Sequence, residues 1–118
     1  FNETGAITVW GDGSQERDFV YIDDLIELLY QSLSADLFNQ RIVNVATAAG
    51  VSIKEVVLLI RKYMDCGQIQ IHWDPQKPVG TKKKVLNNNL FRSLMPEFSF
   101  TDIETGIGKT IHWYLSFK

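Results

Sequence analysis

The chain has 118 residues, is 45% hydrophobic and 22% charged, and carries a formal net charge of −2. That balance suits one soluble domain or part of one, and offers no broad basic surface for nonspecific nucleic-acid binding. Its apolar runs fall short of the roughly 18 residues a membrane-spanning helix needs. Its one cysteine, Cys66, rules out an internal disulfide and fits a reducing, cytoplasmic compartment. Phe1 is not a start methionine and an apolar run follows almost at once, so a longer polypeptide is expected.

Ile7–Trp10 is a short β-type run closed by Gly11-Asp12-Gly13-Ser14, a strong turn signal. Phe19–Ile22 is a second aromatic and β-branched run. Asp23 or Asp24 is then expected to cap a helix carrying Leu25, Ile26, Leu28, Leu29 and Leu33. "RIVNVA", Arg41–Ala46, is β-branched and nearly continuously apolar, the pattern of a strand buried on both faces. Ser52-Ile53-Lys54-Glu55 is a capping box, in which the serine hydroxyl accepts from the third amide and the glutamate reaches back. Ile53, Val56, Val57, Ile60 and Met64 follow at helical spacing.

Gln68–Trp73 alternates polar and apolar residues with period two, which predicts a strand with one wet face. Two prolines and a glycine make "DPQKPVGTKKK", Asp74–Lys84, a loop. A short helix is expected from Asn89 to Met95, stopped at Pro96. Thr101-Asp102-Ile103-Glu104 reads as a second capping box, opening a helix with Ile103, Ile107, Ile111, Tyr114 and Leu115 on one side. Gly106 and Gly108 should weaken that helix by about 1 kcal/mol each. The order of elements is a mixed α/β pattern.

Little here can carry catalysis unaided. His72 and His112 stand alone, without metal-ligand spacing, and Cys66 has no Cys-x-x-Cys partner. "GKT", Gly108–Thr110, lacks the earlier glycine of a phosphate-binding loop, since Ile103 stands there. Tyr114 and Lys118 have the Tyr-x-x-x-Lys spacing of a dehydrogenase pair, but no cofactor loop precedes them. No G-x-G-x-x-G fingerprint follows any strand. No catalytic, metal-binding or cofactor-binding residue is therefore assigned.

"VWGDGSQERDFVYIDD", Val9–Asp24, leaves two readings open. Trp10 and Arg17 could serve an anionic ligand, with an indole to stack and a guanidinium fork for a diphosphate. Lys82–Lys84 could add positive charge. Equally, the segment could be a hairpin with a surface arginine, followed by a helix cap.

This segment resembles one found in extended short-chain dehydrogenases that act on nucleotide sugars, the NAD-dependent epimerase/dehydratase family. "IVNVATAAGVSIKEVVLLI" resembles that family's N-V-G-x-G-x-x-x-S-I-K-E strand and helix, with Ala46 at a glycine position. The tail from Trp73 is similar to the GDP-L-fucose synthase branch, with its K-P-D-G-x-x-x-K loop. The resemblance implies the C-terminal, substrate-binding part of an extended short-chain dehydrogenase: a mixed small sheet with about four helices, residues 1–118 forming one unit. The amino-terminal Rossmann half, with the catalytic residues and the NADP or NAD site, would lie upstream. It further implies a nucleotide-sugar ligand, a GDP-sugar first among them, and a full-length homodimer. By the same resemblance Trp10 and Arg17 contact substrate, Val79 replaces the substrate-contacting aspartate, and Lys83 is a further contact. On this expectation the chain alone is inactive and binds no cofactor. A stand-alone, non-catalytic ligand-binding or interaction module of the same fold is the alternative.

Overall fold

In chain order the elements are β1 (Ala6–Trp10), β2 (Glu16–Arg17), α1 (Ile22–Ala35), β3 (Val51–Ser52), α2 (Ile53–Tyr63), β4 (Gln70–Asp74), β5 (Lys83–Lys84), α3 (Asn89–Leu94) and α4 (Ile103–Ser116). They come from a computed structural model, which describes residues 5–35, 38 and 41–117. Among the described residues the fold is α/β, with four helices and two small sheets, as expected.

The first sheet pairs β1 with β4 in parallel, from Ala6 opposite Gln70 to Trp10 opposite Asp74. Gly11 N–H prolongs the ladder to Asp74 O at 2.7 Å. In the second sheet β2 is central, antiparallel to β3 and parallel to β5. Both sheets therefore start or end beside the Gly11–Gln15 turn.

Helix α2 begins as its sequence predicts. Ser52 Oγ accepts from Glu55 N–H, and the Glu55 carboxylate accepts from Ser52 N–H, so two of the helix's unpaired amino-terminal donors are satisfied. Helix α4 begins one residue later than expected. Asp102, not Thr101, is the cap, and its carboxylate accepts from Thr105 N–H at 2.9 Å. Thr101 is taken up elsewhere: its N–H and Oγ1 both donate to the Asp24 carboxylate, at 2.7 and 2.8 Å. The expectation that Asp23 or Asp24 caps α1 is corrected, because Ile22 is already helical and both lie in the first turn, where Asp24 joins α1 to the α4 entrance.

Two further expectations are corrected. The second strand is Glu16–Arg17 rather than Phe19–Ile22, since Asp18 leaves the sheet to bind Thr47 and Ile22 enters the helix. Arg41–Ala46 is not a buried strand: it has no ladder partner among the described residues, and Ile42 is 94% exposed. Side chains hold it instead, through Asn88 Nδ2 to Ala46 O at 2.8 Å and Asn44 Nδ2 to Asn87 O at 3.1 Å. The Asp74–Lys84 loop holds as predicted over its middle, but Asp74 ends β4 and Lys83–Lys84 form β5.

Packing explains one glycine of α4. A Cβ at Gly108 would press on the Tyr63 ring at 2.9 Å, whereas one at Gly106 would make only ordinary contact with the Tyr21 ring at 3.5 Å. The helix-weakening cost of Gly108 is offset by this close approach of α4 to α2. Leu28, Ala46, Phe91 and Ile111 are the buried apolar side chains among the described residues. Phe91 anchors an aromatic cluster, with ring centroids 5.9 Å from Phe98 and 5.3 Å from Phe100. The body is a slab of 52 × 34 × 19 Å, with a radius of gyration of 17.2 Å; a compact chain of this length would measure about 13–14 Å.

Candidate functional site

The site candidate is the turn between β1 and β2. Gly11 and Gly13 both have positive φ, 85° and 78°, a conformation that favours glycine because it has no Cβ. A Cβ at Gly11 would overlap Val79 Cγ1, and one at Gly13 would meet the Trp73 ring at 2.5 Å. The glycines thus let the turn lie directly against the Asp74–Lys84 loop and β4. Asp12 tightens it by accepting from Ser14 N–H at 2.9 Å and Ser14 Oγ at 2.7 Å. The hydroxyl bond, then the amide bond, lowers the Asp12 pKa below the ordinary carboxylate value.

Helix α2 and β5 fix the rest of the turn through the backbone. Lys54 N–H donates to Gly13 O and Ile53 N–H to Gln15 O, both at 3.0 Å, while Glu16 N–H donates to Lys82 O at 2.9 Å. The first two amide donors of α2 are therefore spent on the turn itself.

Trp10 ends β1 and is 57% exposed. Arg17 is half-buried, and its Nη1 donates to Glu16 O at 2.7 Å and to Thr81 O at 2.8 Å. Among the described residues its Nε and Nη2 have no partner, so part of the guanidinium fork faces outward unspent. Val79 sits on Gly11, next in sequence to Trp10. Turn and loop thus run together, with Val79 on Gly11 and Thr81 O accepting from Arg17.

Lys83 joins them differently. Its Nζ pairs with Glu16 Oε2 at 2.8 Å, and it stands opposite Glu16 in the ladder. Lys84 is the residue in register with Arg17. Because side chains alternate along a strand, Lys84 shares the Arg17 face and Lys83 the Glu16 face. The K-P-V-G-x-x-x-K spacing also ends on Lys84, a signal present in the sequence but read there as Lys83.

Two residues important to the turn had no sequence signal. Asp18 accepts from Thr47 N–H at 3.0 Å, Thr47 Oγ1 at 2.6 Å, Ala48 N–H at 3.1 Å and Leu86 N–H at 3.4 Å. It joins the segment after Arg17 to two distant loops. Gln15 is 8% exposed, and its buried Oε1 has no partner. His72 and His112 are exposed, Cys66 Sγ donates to Arg61 O, and no group of metal-ligating side chains occurs among the described residues. No helix is long and apolar enough to cross a membrane among them. Lys118 of the Tyr-x-x-x-Lys spacing lies outside the described residues.

Residues 1–46 match the family model described as the NAD dependent epimerase/dehydratase family. Over those residues the chain is similar to this family. It is 32% identical over 116 residues to a putative GDP-L-fucose synthase 2 of Arabidopsis thaliana, covering 97% of this chain and 34% of the relative. It is 30% identical over 121 residues to a GDP-L-colitose synthase of Yersinia pseudotuberculosis, covering 98% of this chain and 38% of the relative. The chain thus spans little more than a third of these curated relatives. A solved GDP-L-fucose synthetase of Naegleria fowleri with NADP bound superposes with a TM-score of 0.82 at 24% identity, over 94% of this chain and 35% of that one. This confirms the fold expected from sequence, that of an extended epimerase/dehydratase-family enzyme.

Proposed function

We propose that residues 1–118 form a single unit supplying the nucleotide-sugar-binding part of an NAD(P)-dependent epimerase or reductase, with a GDP-sugar as ligand. The observation that carries this reading is the half-spent Arg17 guanidinium, bonded through Nη1 to Thr81 O, with Trp10 exposed at the end of β1. An arginine held on one edge is preorganised to offer its other donors to a diphosphate. Trp10 supplies a flat apolar face for a base or sugar ring. Val79 contributes contact but no acceptor, so a donor group of the sugar that an aspartate would bind must find another partner. Lys84, on the Arg17 face, adds positive charge, while the charge of Lys83 is paired with Glu16. GDP-sugar relatives support the ligand class, by analogy of family.

No residue here is assigned to the dinucleotide, and no hydride step is derived for this chain. Turnover is expected to require the remainder of a longer polypeptide, which would bind NADP or NAD.

The test is titration calorimetry of the chain with GDP-L-fucose. Weak binding is expected, with Arg17→Ala weakening it at least tenfold, as loss of a charge-assisted pair implies. Equal affinity in both proteins would refute the site, and NADPH-dependent turnover by the 118-residue chain would refute its non-catalytic part.

A further inference from the structure

Among the described residues, Gln15 Oε1 is the one buried side-chain oxygen or nitrogen that finds no hydrogen-bond partner. The residue is 8% exposed, so water does not take the place of a protein donor at its surface. A buried carbonyl left unpaired costs free energy, and folded chains keep few of them. The acceptor is therefore paid for in the free protein, and a donor arriving from outside would explain why it is kept.

Its surroundings belong to the turn and the loop beside it. A Cβ at Gly11 would lie 3.6 Å from Gln15 Oε1 and would overlap Val79 Cγ1, so carbonyl and valine approach the same side of the Gly11 backbone. Gly11 and Gln15 are buried, whereas Val79 is 38% exposed and is the one of the three open to solvent. Ile53 N–H bonds Gln15 O one step along from the Glu16–Ser52 pair, so the ladder reaches Gln15. Side chains alternate along such a strand, which puts Gln15 on the face of Arg17. The loop over Gln15 is tied at its two ends, by bonds to Asp74 and by Thr81 O to Arg17. Between them Pro78, Val79 and Gly80 make no hydrogen bond among the described residues. Gly80 has φ 69° and open space around its Cβ position, so Val79 can swing off the carbonyl at small cost.

We propose that Gln15 is a specificity-determining residue of the ligand site: Val79 moves aside, and Oε1 accepts from an O–H or N–H donor of the ligand. Phosphate oxygens only accept hydrogen bonds from the protein at neutral pH, so the diphosphate falls to Arg17 and Lys84. The donor that meets Gln15 is then a sugar hydroxyl or a base N–H. With valine at position 79 the loop brings no side-chain acceptor of its own to this place. The inference rests on the proposed nucleotide-sugar reading of the site and adds to it the acceptor that selects among ligands.

The test is Gln15→Met, which keeps the length of the side chain and removes its carbonyl, made in the protein expressed from its own locus. The melting temperature should rise by about 4 °C, since no acceptor is left stranded. GDP-L-fucose should at the same time bind about tenfold more weakly in titration calorimetry. Stabilisation with loss of affinity is a pair of effects that a merely structural glutamine would not give. GDP alone separates the two sources of the donor: unchanged GDP affinity assigns it to the sugar, and an equal loss assigns it to the base. A melting temperature unchanged or lowered would show that the carbonyl is already served in the free protein. Unchanged GDP-L-fucose affinity would show that it does not touch the ligand, and either result overturns the proposal. Failure of the site reading itself shows separately, because Arg17→Ala would then leave GDP-L-fucose affinity unaltered, whereas failure at Gln15 alone leaves the Arg17→Ala loss intact.

Discussion

Residues 11–18 and residues 22–33 are adjacent in the chain and built on opposite terms. The first are tied by backbone and carboxylate bonds to α2, to β5 and to the loop at Thr47. The second carry a stripe of large apolar side chains turned to solvent. Where polar groups are paired within the chain, the conformation is specified by the chain. Where apolar groups are left uncovered, the reason for the sequence lies in what covers them. The comparison separates a turn fixed from within the chain from a helix face left uncovered among the described residues.

Asp18→Ala attacks the first region hardest. It removes one carboxylate from four donors, and an unfolding free energy lower by about 3 kcal/mol is expected in urea titration. A loss under about 0.5 kcal/mol would mean that the turn is not held as described. A smaller effect of opposite sign is expected at Ala48, which has φ 59° and receives one of the Asp18 bonds. Left-handed backbone disfavours any side chain, so Ala48→Gly should stabilise the chain by about 0.5–1 kcal/mol after the extra unfolded-state entropy of glycine is deducted. Destabilisation instead would show that Ala48 does not adopt this conformation in solution. This position matches the second glycine of the N-V-G-x-G motif, so the substitution also restores the family residue.

What the sequence made legible was local. The Ser52 capping box, the apolar spacing of α2 and α4, and the alternation of β4 each depend on residues within one turn or one strand, and each is found. The misses needed a distant partner. Asp24 looked like a helix cap until Thr101, seventy-seven residues away, claimed it. Arg41–Ala46 carries the composition of a buried strand, yet composition cannot name the strand it pairs with. At the turn, Val79 meets Gly11 and Arg17 reaches Thr81, while Lys83 turns to Glu16 because strand register, invisible in a run of three lysines, decides which lysine faces which way.

The most direct test of the ligand-holding end is a backbone and indole NMR titration of the 118-residue chain with GDP-L-fucose. Shift changes are expected at the Trp10 indole, at Arg17 and at the amides of residues 79–84. Changes confined to the cleft between α1 and α4, with Trp10 and Arg17 silent, would contradict the account.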